Sequence, residues 1–176
     1  GAWLSFTAAV YADESDFEKV AARDRAKKEN PCTAMVYEEL FVRHWDAWED
    51  GKWSHVFVMP AAGGTPVDIM AGVAGECPQE PFGGPGEYAW SPDSKAIAYA
   101  TKLGRDRAWT TNLDIFLYDI AARTARNLTA ANPAWDTEPC FAPGGKALYY
   151  LAMRVPGYEA DRLRLMCMDL ATGAVK

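Results

Sequence analysis

Ser94-Lys-Ala-Ile-Ala-Tyr-Ala-Thr101 returns as Gly145-Lys-Ala-Leu-Tyr-Tyr-Leu-Ala152, and Gly1-Ala-Trp-Leu-Ser-Phe-Thr-Ala8 aligns with both without a gap. Internal repetition of this kind marks stacked supersecondary units, each unable to bury its apolar surface alone. Each copy leads into a second apolar strand: His55-Val-Phe-Val-Met-Pro60, Asp114-Ile-Phe-Leu-Tyr-Asp119 and Arg164-Leu-Met-Cys-Met-Asp169. The later copies begin 51 residues apart, at 94 and 145, which is the length of one four-stranded propeller blade. The reading is an all-β chain, a partial β-propeller with one short helical insertion.

The first two copies begin 93 residues apart, so the first carries roughly 42 extra residues between its strands. The expected organisation is one incomplete propeller over 1–176. A blade portion spans 1–70 with a helical insertion at 12–33, a blade spans 71–129, and a partial blade spans 130–176. Both ends fall inside a repeat, so the sequence reads as two to three blades of a longer protein. Open blade edges expose unpaired backbone, and self-association is expected from them.

Composition bounds the partners. The chain is 49% apolar and 12% aromatic, hence globular. A net charge of −6 argues against a nucleic-acid partner. Apolar runs are strand-sized, so no membrane span is expected. Cys32, Cys77, Cys140 and Cys167 are scattered without a C-x-x-C pair, and neither histidine is spaced as a ligand, so no metal or other cofactor is expected. Cys140 and Cys167 occupy apolar strand positions and are expected to be buried; Cys32 and Cys77 lie in Pro-flanked loops and can pair only if the fold joins them.

Asp13 to Glu29 is the one clear helix, with Ser15 and Glu18 at capping-box spacing and Asn30-Pro31 as its stop. Its apolar stripe of Phe17, Val20 and Ala21 is narrow, so it lies on the surface and leans on a neighbour. Ala34 to Gly51 follows, packing Glu38, Glu39, Arg43, His44, Trp45, Asp46 and Trp48 into eleven positions. It reads as a strand beginning in a helical turn, with a hairpin turn at Asp50-Gly51. Two readings stand: Trp45 and Trp48 are core aromatics inside a satisfied charge network, or the insertion carries a binding surface.

Elsewhere the sequence is plainer. Trp90-Ser-Pro-Asp-Ser-Lys95 is turn chemistry. Pro81-Phe-Gly-Gly-Pro-Gly86 lacks the Lys-Ser/Thr and the helix of a phosphate cradle. Asn127-Leu-Thr129 matches a glycosylation acceptor but aligns with Asp68-Ile-Met70 as a strand-entry position. The loops Arg105–Asn112 and Val155–Arg162 are equivalent in successive blades; they either face a ligand jointly or cover blade edges. No serine sits in G-x-S-x-G, and neither histidine has a nucleophile in a triad-like pattern, so this chain is not expected to hydrolyse anything by itself.

The repeat Trp90-Ser-Pro-Asp-Ser-Lys-Ala-Ile-Ala-Tyr99, with Asp114–Asp119 and Arg126-Asn-Leu-Thr129, resembles the propeller repeat of TolB-type proteins and of prolyl oligopeptidase family serine peptidases. Leu40-Phe-Val-Arg-His-Trp-Asp46, Pro81-Phe-Gly-Gly84, Asn132-Pro-Ala-Trp-Asp-Thr-Glu-Pro139 and Tyr158-Glu-Ala-Asp-Arg162 narrow the resemblance to dipeptidyl-peptidases of the type called 5, often labelled acylaminoacyl-peptidases. The resemblance implies a serine-type enzyme that releases dipeptides from peptide N-termini, periplasmic or secreted. In it a propeller gates peptide substrates and binds their N-terminus, while a separate α/β-hydrolase domain carries the triad. Val36-Tyr-Glu-Glu39 is similar to the double-glutamate element that holds the substrate α-ammonium. It implies Glu38 and Glu39 as ammonium ligands, with Arg43 beside them to balance charge or bind a peptide carbonyl and Asp46 in reserve. An acylaminoacyl-peptidase or oligopeptidase of the same clan and a non-enzymatic TolB-like binding propeller are the alternatives.

Overall fold

Alternating apolar residues need a sheet to alternate across, and the computed structural model, which describes residues 2–80, 83–103 and 107–176, turns the repeated segments into equivalent strands. In chain order these are β1 (Trp3–Tyr11), α1 (Phe17–Glu29), β2 (Arg43–His44), β3 (Ala47–Trp48), β4 (Lys52–Pro60) and β5 (Val67–Asp68). Then come β6 (Tyr88–Trp90), β7 (Ala96–Thr101), β8 (Asp114–Asp119), β9 (Thr124–Asn127), β10 (Asp136–Phe141), β11 (Ala147–Ala152) and β12 (Arg164–Asp169). They form sheet 1, ordered β1-β4-β5, sheet 2, ordered β6-β7-β8-β9, and sheet 3, ordered β10-β11-β12, with β2-β3 as a separate hairpin. The strand pairings within these sheets are antiparallel, the meander of a propeller blade.

The copies share a register. Trp3 opposes Pro60, Ala96 opposes Asp119 and Ala147 opposes Asp169, the same repeat position each time. The sheets then stack through opposite faces. Val56 and Val58 of sheet 1 form one core with Ile97, Tyr99 and Tyr118 of sheet 2. Ala98, Ala100 and Ile115 of sheet 2 form the next with Leu148, Tyr150 and Met168 of sheet 3. Hydrogen bonds cross the same joints: Trp90 Nε1 donates to Ser5 Oγ at 2.9 Å, and Asp136 N to Leu113 O at 2.8 Å.

Inside a blade, a buried side-chain pair pins the third strand to the strand that follows. In sheet 1, His55 Nδ1 lies 2.8 Å from Asp68 Oδ2 and Nε2 lies 3.0 Å from Val73 O, with both side chains of the pair almost fully buried. An oxygen therefore faces each of the two ring nitrogens. In sheet 2 the same two repeat positions are Asp114 and Asn127, and Asn127 Nδ2 donates to Asp114 Oδ2 at 2.8 Å. Asp68 and Asn127 also accept from the backbone N–H two residues on, at 2.8 and 2.9 Å, so each is both an Asx turn and a cross-strand tie. The strand-entry reading of Asn127 therefore has a chemical basis. Asp136, fully buried between sheets 2 and 3, accepts from Asn132 Nδ2 at 2.9 Å; burial pushes its carboxyl up to about 7.

The helix begins later than its capping-box spacing predicts. Asp16, not Ser15, is the N-cap, and its carboxylate accepts from Glu18 N at 3.0 Å and Lys19 N at 3.1 Å. Val20 is buried, Phe17 packs on Phe57 at a tilt of 38° with centroids 5.0 Å apart, and the Arg23 guanidinium lies 3.7 Å over the Tyr11 ring. A helix too short to persist alone thus leans on the outer face of sheet 1. The expected strand through Leu40-Phe41-Val42 does not form. Only the hairpin Arg43–His44/Ala47–Trp48 is regular, closed by Trp45 at φ 49°.

The burial expected of Cys140 and Cys167 is corrected. All four are free. Cys77 is buried in the core between sheets 1 and 2, whereas Cys140 is exposed and Cys167 partly so, because no sheet packs on the face of sheet 3 that carries them.

Two stability effects follow from this framework. Asp68→Ala leaves a buried imidazole facing an empty site and is expected to cost about 3–5 kcal/mol in urea unfolding. Ser94 holds φ 59° at the turn where the third copy has Gly145 at φ 67°. Ser94→Gly removes the left-handed penalty and is expected to raise stability by up to about 1 kcal/mol.

Candidate functional site

Stacked blades bring equivalent loops to one rim, and that rim holds a cavity of about 650 Å³ walled by all three sheets. Sheet 1 and its hairpin supply Phe41, His44, Trp45 and Trp53; the segment after sheet 1 supplies Glu76, Gln79 and Glu80, with Glu87 at the entry to sheet 2; the loop after β7 supplies Lys102 and Arg107; sheet 3 and its loop supply Trp135, Glu138 and Glu159. The two equivalent loops of successive blades therefore face one space, and Gly157 N donates to Thr111 Oγ1 at 2.9 Å to tie them. Pro81, Phe82, Arg105 and Asp106 lie outside the described residues.

The cavity is acidic and aromatic. Burial pushes the Glu76 carboxyl up to about 7, with Glu80 and Glu49 adding repulsion. Glu87 also rises to about 7, through burial first and the nearby Glu138 last, although Gln79 N donates to its Oε2 at 2.7 Å and opposes the rise. Glu138 stands at a β-bulge in β10 with φ 51°, a backbone state that re-aims a side chain. The cations are engaged locally: Lys102 Nζ donates to Thr110 O at 2.8 Å, and the Arg107 guanidinium lies 4.0 Å from the Trp53 ring centroid and 5.9 Å from that of Phe41. Such a cavity accepts a cation, with carboxylates for charge-assisted hydrogen bonds and indole faces for cation–π contact.

Glu38 and Glu39 lie elsewhere, in a neighbouring cleft of about 980 Å³ between the C-terminal end of α1 and the chain from Cys32 to Phe41. Tyr37 shapes this cleft by donating its hydroxyl to Glu49 O at 3.0 Å, and Lys27 Nζ donates to Asp50 O at 2.8 Å. Phe41, Trp53 and Arg107 border both spaces and form the wall between them. The structure brings Glu38 and Glu39 together but sets Arg43 and Asp46 apart, on the hairpin and outside both linings. Arg43 donates to Trp45 O, and Asp46 sits in the exposed turn. Trp45 and Trp48 are 66% and 63% exposed, which removes the core-aromatic reading.

Sequence reasoning passed over Glu76, Glu87, Glu138, Arg107, Trp53 and Trp135. One signal was available, since Glu87 and Glu138 occupy the same repeat position. Among the described residues no group of three or more His, Cys, Asp and Glu is placed to hold a metal ion, and no helix is long and apolar enough to cross a membrane.

The raised carboxyls make stability depend on pH. Glu76, Glu87 and Asp136 stay protonated in the fold up to about pH 7, whereas in the unfolded chain they ionise near their ordinary values. Their effect is therefore a loss of stability as pH rises from about 4.5 to 7, complete above that window. Glu87→Gln, which keeps an oxygen for Gln79 N, is expected to flatten the melting-temperature profile in that window and to melt above the parent at pH 8.

No family model matches the chain. It is 37% identical over 147 residues to dipeptidyl-peptidase 5 of Porphyromonas gingivalis, covering 81% of this chain and 21% of that protein. It is 35% identical over 153 residues to dipeptidyl-peptidase 5 of Porphyromonas endodontalis, covering 84% and 22%. Among solved structures it resembles TolB from Acinetobacter baumannii with a TM-score of 0.47 and 18% identity, over 70% of this chain and 26% of that one. The chain spans about a fifth of the length of the curated relatives it matches. Over about 80% of its sequence the chain is thus similar to a segment of proteins named dipeptidyl-peptidase 5.

Proposed function

We propose that the chain forms a wall of the substrate chamber in a serine-type dipeptidyl-peptidase, holding the N-terminus of a peptide while an α/β-hydrolase domain of the same protein cuts it. The observation that carries this reading is the placing of Glu38 and Glu39 in one solvent-open cleft, separated from an acid-lined cavity only by Phe41, Trp53 and Arg107. An α-ammonium offers three N–H donors, and two neighbouring carboxylates accept them in charge-assisted bonds of about 1.5–3 kcal/mol each. The adjoining cavity is large enough for the side chains of the first residues. A space of this size excludes a folded protein and takes an extended chain, which supports a gating role in this reading.

Arg43 and Asp46 take a secondary part in this reading. Their hairpin overhangs the cavity through His44 and Trp45, so they act on a bound peptide by positioning those rings.

The test is binding to the chain itself, followed by NMR with a free-amine tripeptide and its N-acetylated form. The free amine is expected to bind at least about tenfold more tightly, the equivalent of one charge-assisted bond, and Glu38→Gln/Glu39→Gln is expected to abolish the difference. Equal affinity for the two peptides would remove the amine site and favour the acylaminoacyl-peptidase reading, which has no use for a carboxylate pair there.

A further inference from the structure

Five carboxyl side chains line the rim cavity, Glu76, Glu80, Glu87, Glu138 and Glu159, against the two fixed cations Lys102 and Arg107. Among the described residues none of the five stands in an ion pair. Glu87 is the most sheltered, only 6% exposed. Its carboxyl accepts from Gln79 N on Oε2 at 2.7 Å and makes no other hydrogen bond among the described residues, so Oε1 is left for the cavity that Glu87 lines. An unmatched oxygen on a buried carboxyl costs free energy that a donor entering the cavity recovers. The repeat brings a second acceptor beside it. A Cβ on Gly86 would stand 3.7 Å from Glu138 Cγ, so the Glu138 side chain lies against the turn that carries Glu87.

The rings show which donor fits. The Arg107 guanidinium lies 4.0 Å from the Trp53 centroid and Lys102 Nζ 5.8 Å from that of Trp135, so both of the chain's own cations in this space sit over indoles. No three His, Cys, Asp or Glu side chains among the described residues are placed for a metal ion, and an organic cation matches acids and rings together. The lining runs from Phe41 to Leu163, so the outermost strands β1 and β12 contribute nothing to it.

We infer that the cavity is a subsite for a lysine or arginine side chain at one of the first two residues of a bound peptide, with Glu87 and Glu138 as acceptors and Trp135 as the ring, an assignment that rests on the reading of Glu38 and Glu39 as holders of the peptide N-terminus. Phe41, Trp53 and Arg107 separate the two spaces, so a side chain leaving a backbone anchored at Glu38 and Glu39 has to cross that wall. The long stems of lysine and arginine cross it with their apolar carbons against the rings and deliver the charge beyond. The substrates favoured are therefore peptides with a basic residue next to the N-terminus. pH sets the strength. Glu87, faced by Glu138 and Cys77, and Glu76, faced by Glu80, Glu49 and Arg107, keep their protons up to about 7. A lysine side chain stays charged well above that, so at pH 6 it has to displace those protons and at pH 8 it meets carboxylates.

Calorimetric titration of this chain tests the subsite with Lys-Ala-Ala and Ala-Lys-Ala, their norleucine counterparts, and the N-acetylated forms of all four. Norleucine keeps the stem and removes the charge. At pH 8 lysine is expected to bind at least about tenfold more tightly than norleucine at one of the two positions, in the acetylated pair as in the free one, and the acetylated pair is expected to lose most of that ratio at pH 6. Glu87→Gln/Glu138→Gln is expected to remove the ratio, with circular dichroism checking the fold. Glu18→Gln/Glu29→Gln takes two exposed charges from α1 and is expected to keep it. Acetylation reads the amine site and the lysine-to-norleucine ratio reads the cavity, so the two assignments fail separately. Equal affinity for lysine and norleucine at both positions overturns the subsite. A ratio that survives Glu87→Gln/Glu138→Gln, or falls equally in Glu18→Gln/Glu29→Gln, overturns it in favour of a general attraction to the net charge of −6.

Discussion

A small antiparallel sheet exposes two faces and can cover neither by itself, so every blade of this chain depends on its neighbour across about 10 Å of interdigitated side chains. That dependence explains the distribution of residue types better than any property of a single strand. Ala98 and Ala100 are small because Leu148 and Tyr150 stand over them, while Ile97 and Tyr99 on the other side of the same strand are large because Val56 and Val58 present little bulk. The alternation is between two apolar faces of different size, not between apolar and polar. Two polar pairs, His55 with Asp68 and Asp114 with Asn127, tie the third strand to the strand that follows, whereas among the described residues the buried Thr101 Oγ1 and Asp136 Oδ2 find no hydrogen-bond partner.

The repeat made this legible. Strand positions, register and the meander order all follow from aligning three segments, because backbone pairing and face alternation are local and periodic. The insertion was legible only in part. Its helix shows in capping and composition, but residues 34–42 run without regular structure despite an apolar stretch, and Val42 O meets the neighbouring hairpin only where it accepts from Glu49 N at 3.1 Å. The cysteines at 140 and 167 show the limit from the other side. Their strand positions are apolar by pattern, yet burial is a property of what packs against the sheet, and nothing in one strand records whether a partner is present.

The site was hardest to read because it belongs to no single segment. Glu76, Glu87, Glu138 and Glu159 come from different segments of the chain and meet only because the sheets stack, whereas the cluster from Glu38 to Trp48 is dense in sequence and spreads apart in space. Adjacent residues in an extended or turning chain point to different sides, so density along the chain says little about convergence. Glu87 and Glu138 were the exception, since one repeat position with the same acid in two blades places two carboxylates on the same rim.

The wall between the two spaces ties the acid groups to the fold. Arg107 lies against Trp53 and near Phe41, and its charge lowers the carboxyl pKa of Glu49 and of Glu76, partly offsetting the burial that raises them. A single guanidinium therefore does two things. It closes the gap between an aromatic on β4 and one on the insertion, and it balances carboxylates on both sides of the gap. Removing the charge would raise those acids further and loosen the aromatic stack together. The Glu38–Glu39 cleft and the acid cavity are in this sense one electrostatic unit divided by a cation, and a ligand cation placed on either side would compete with Arg107 for the same field.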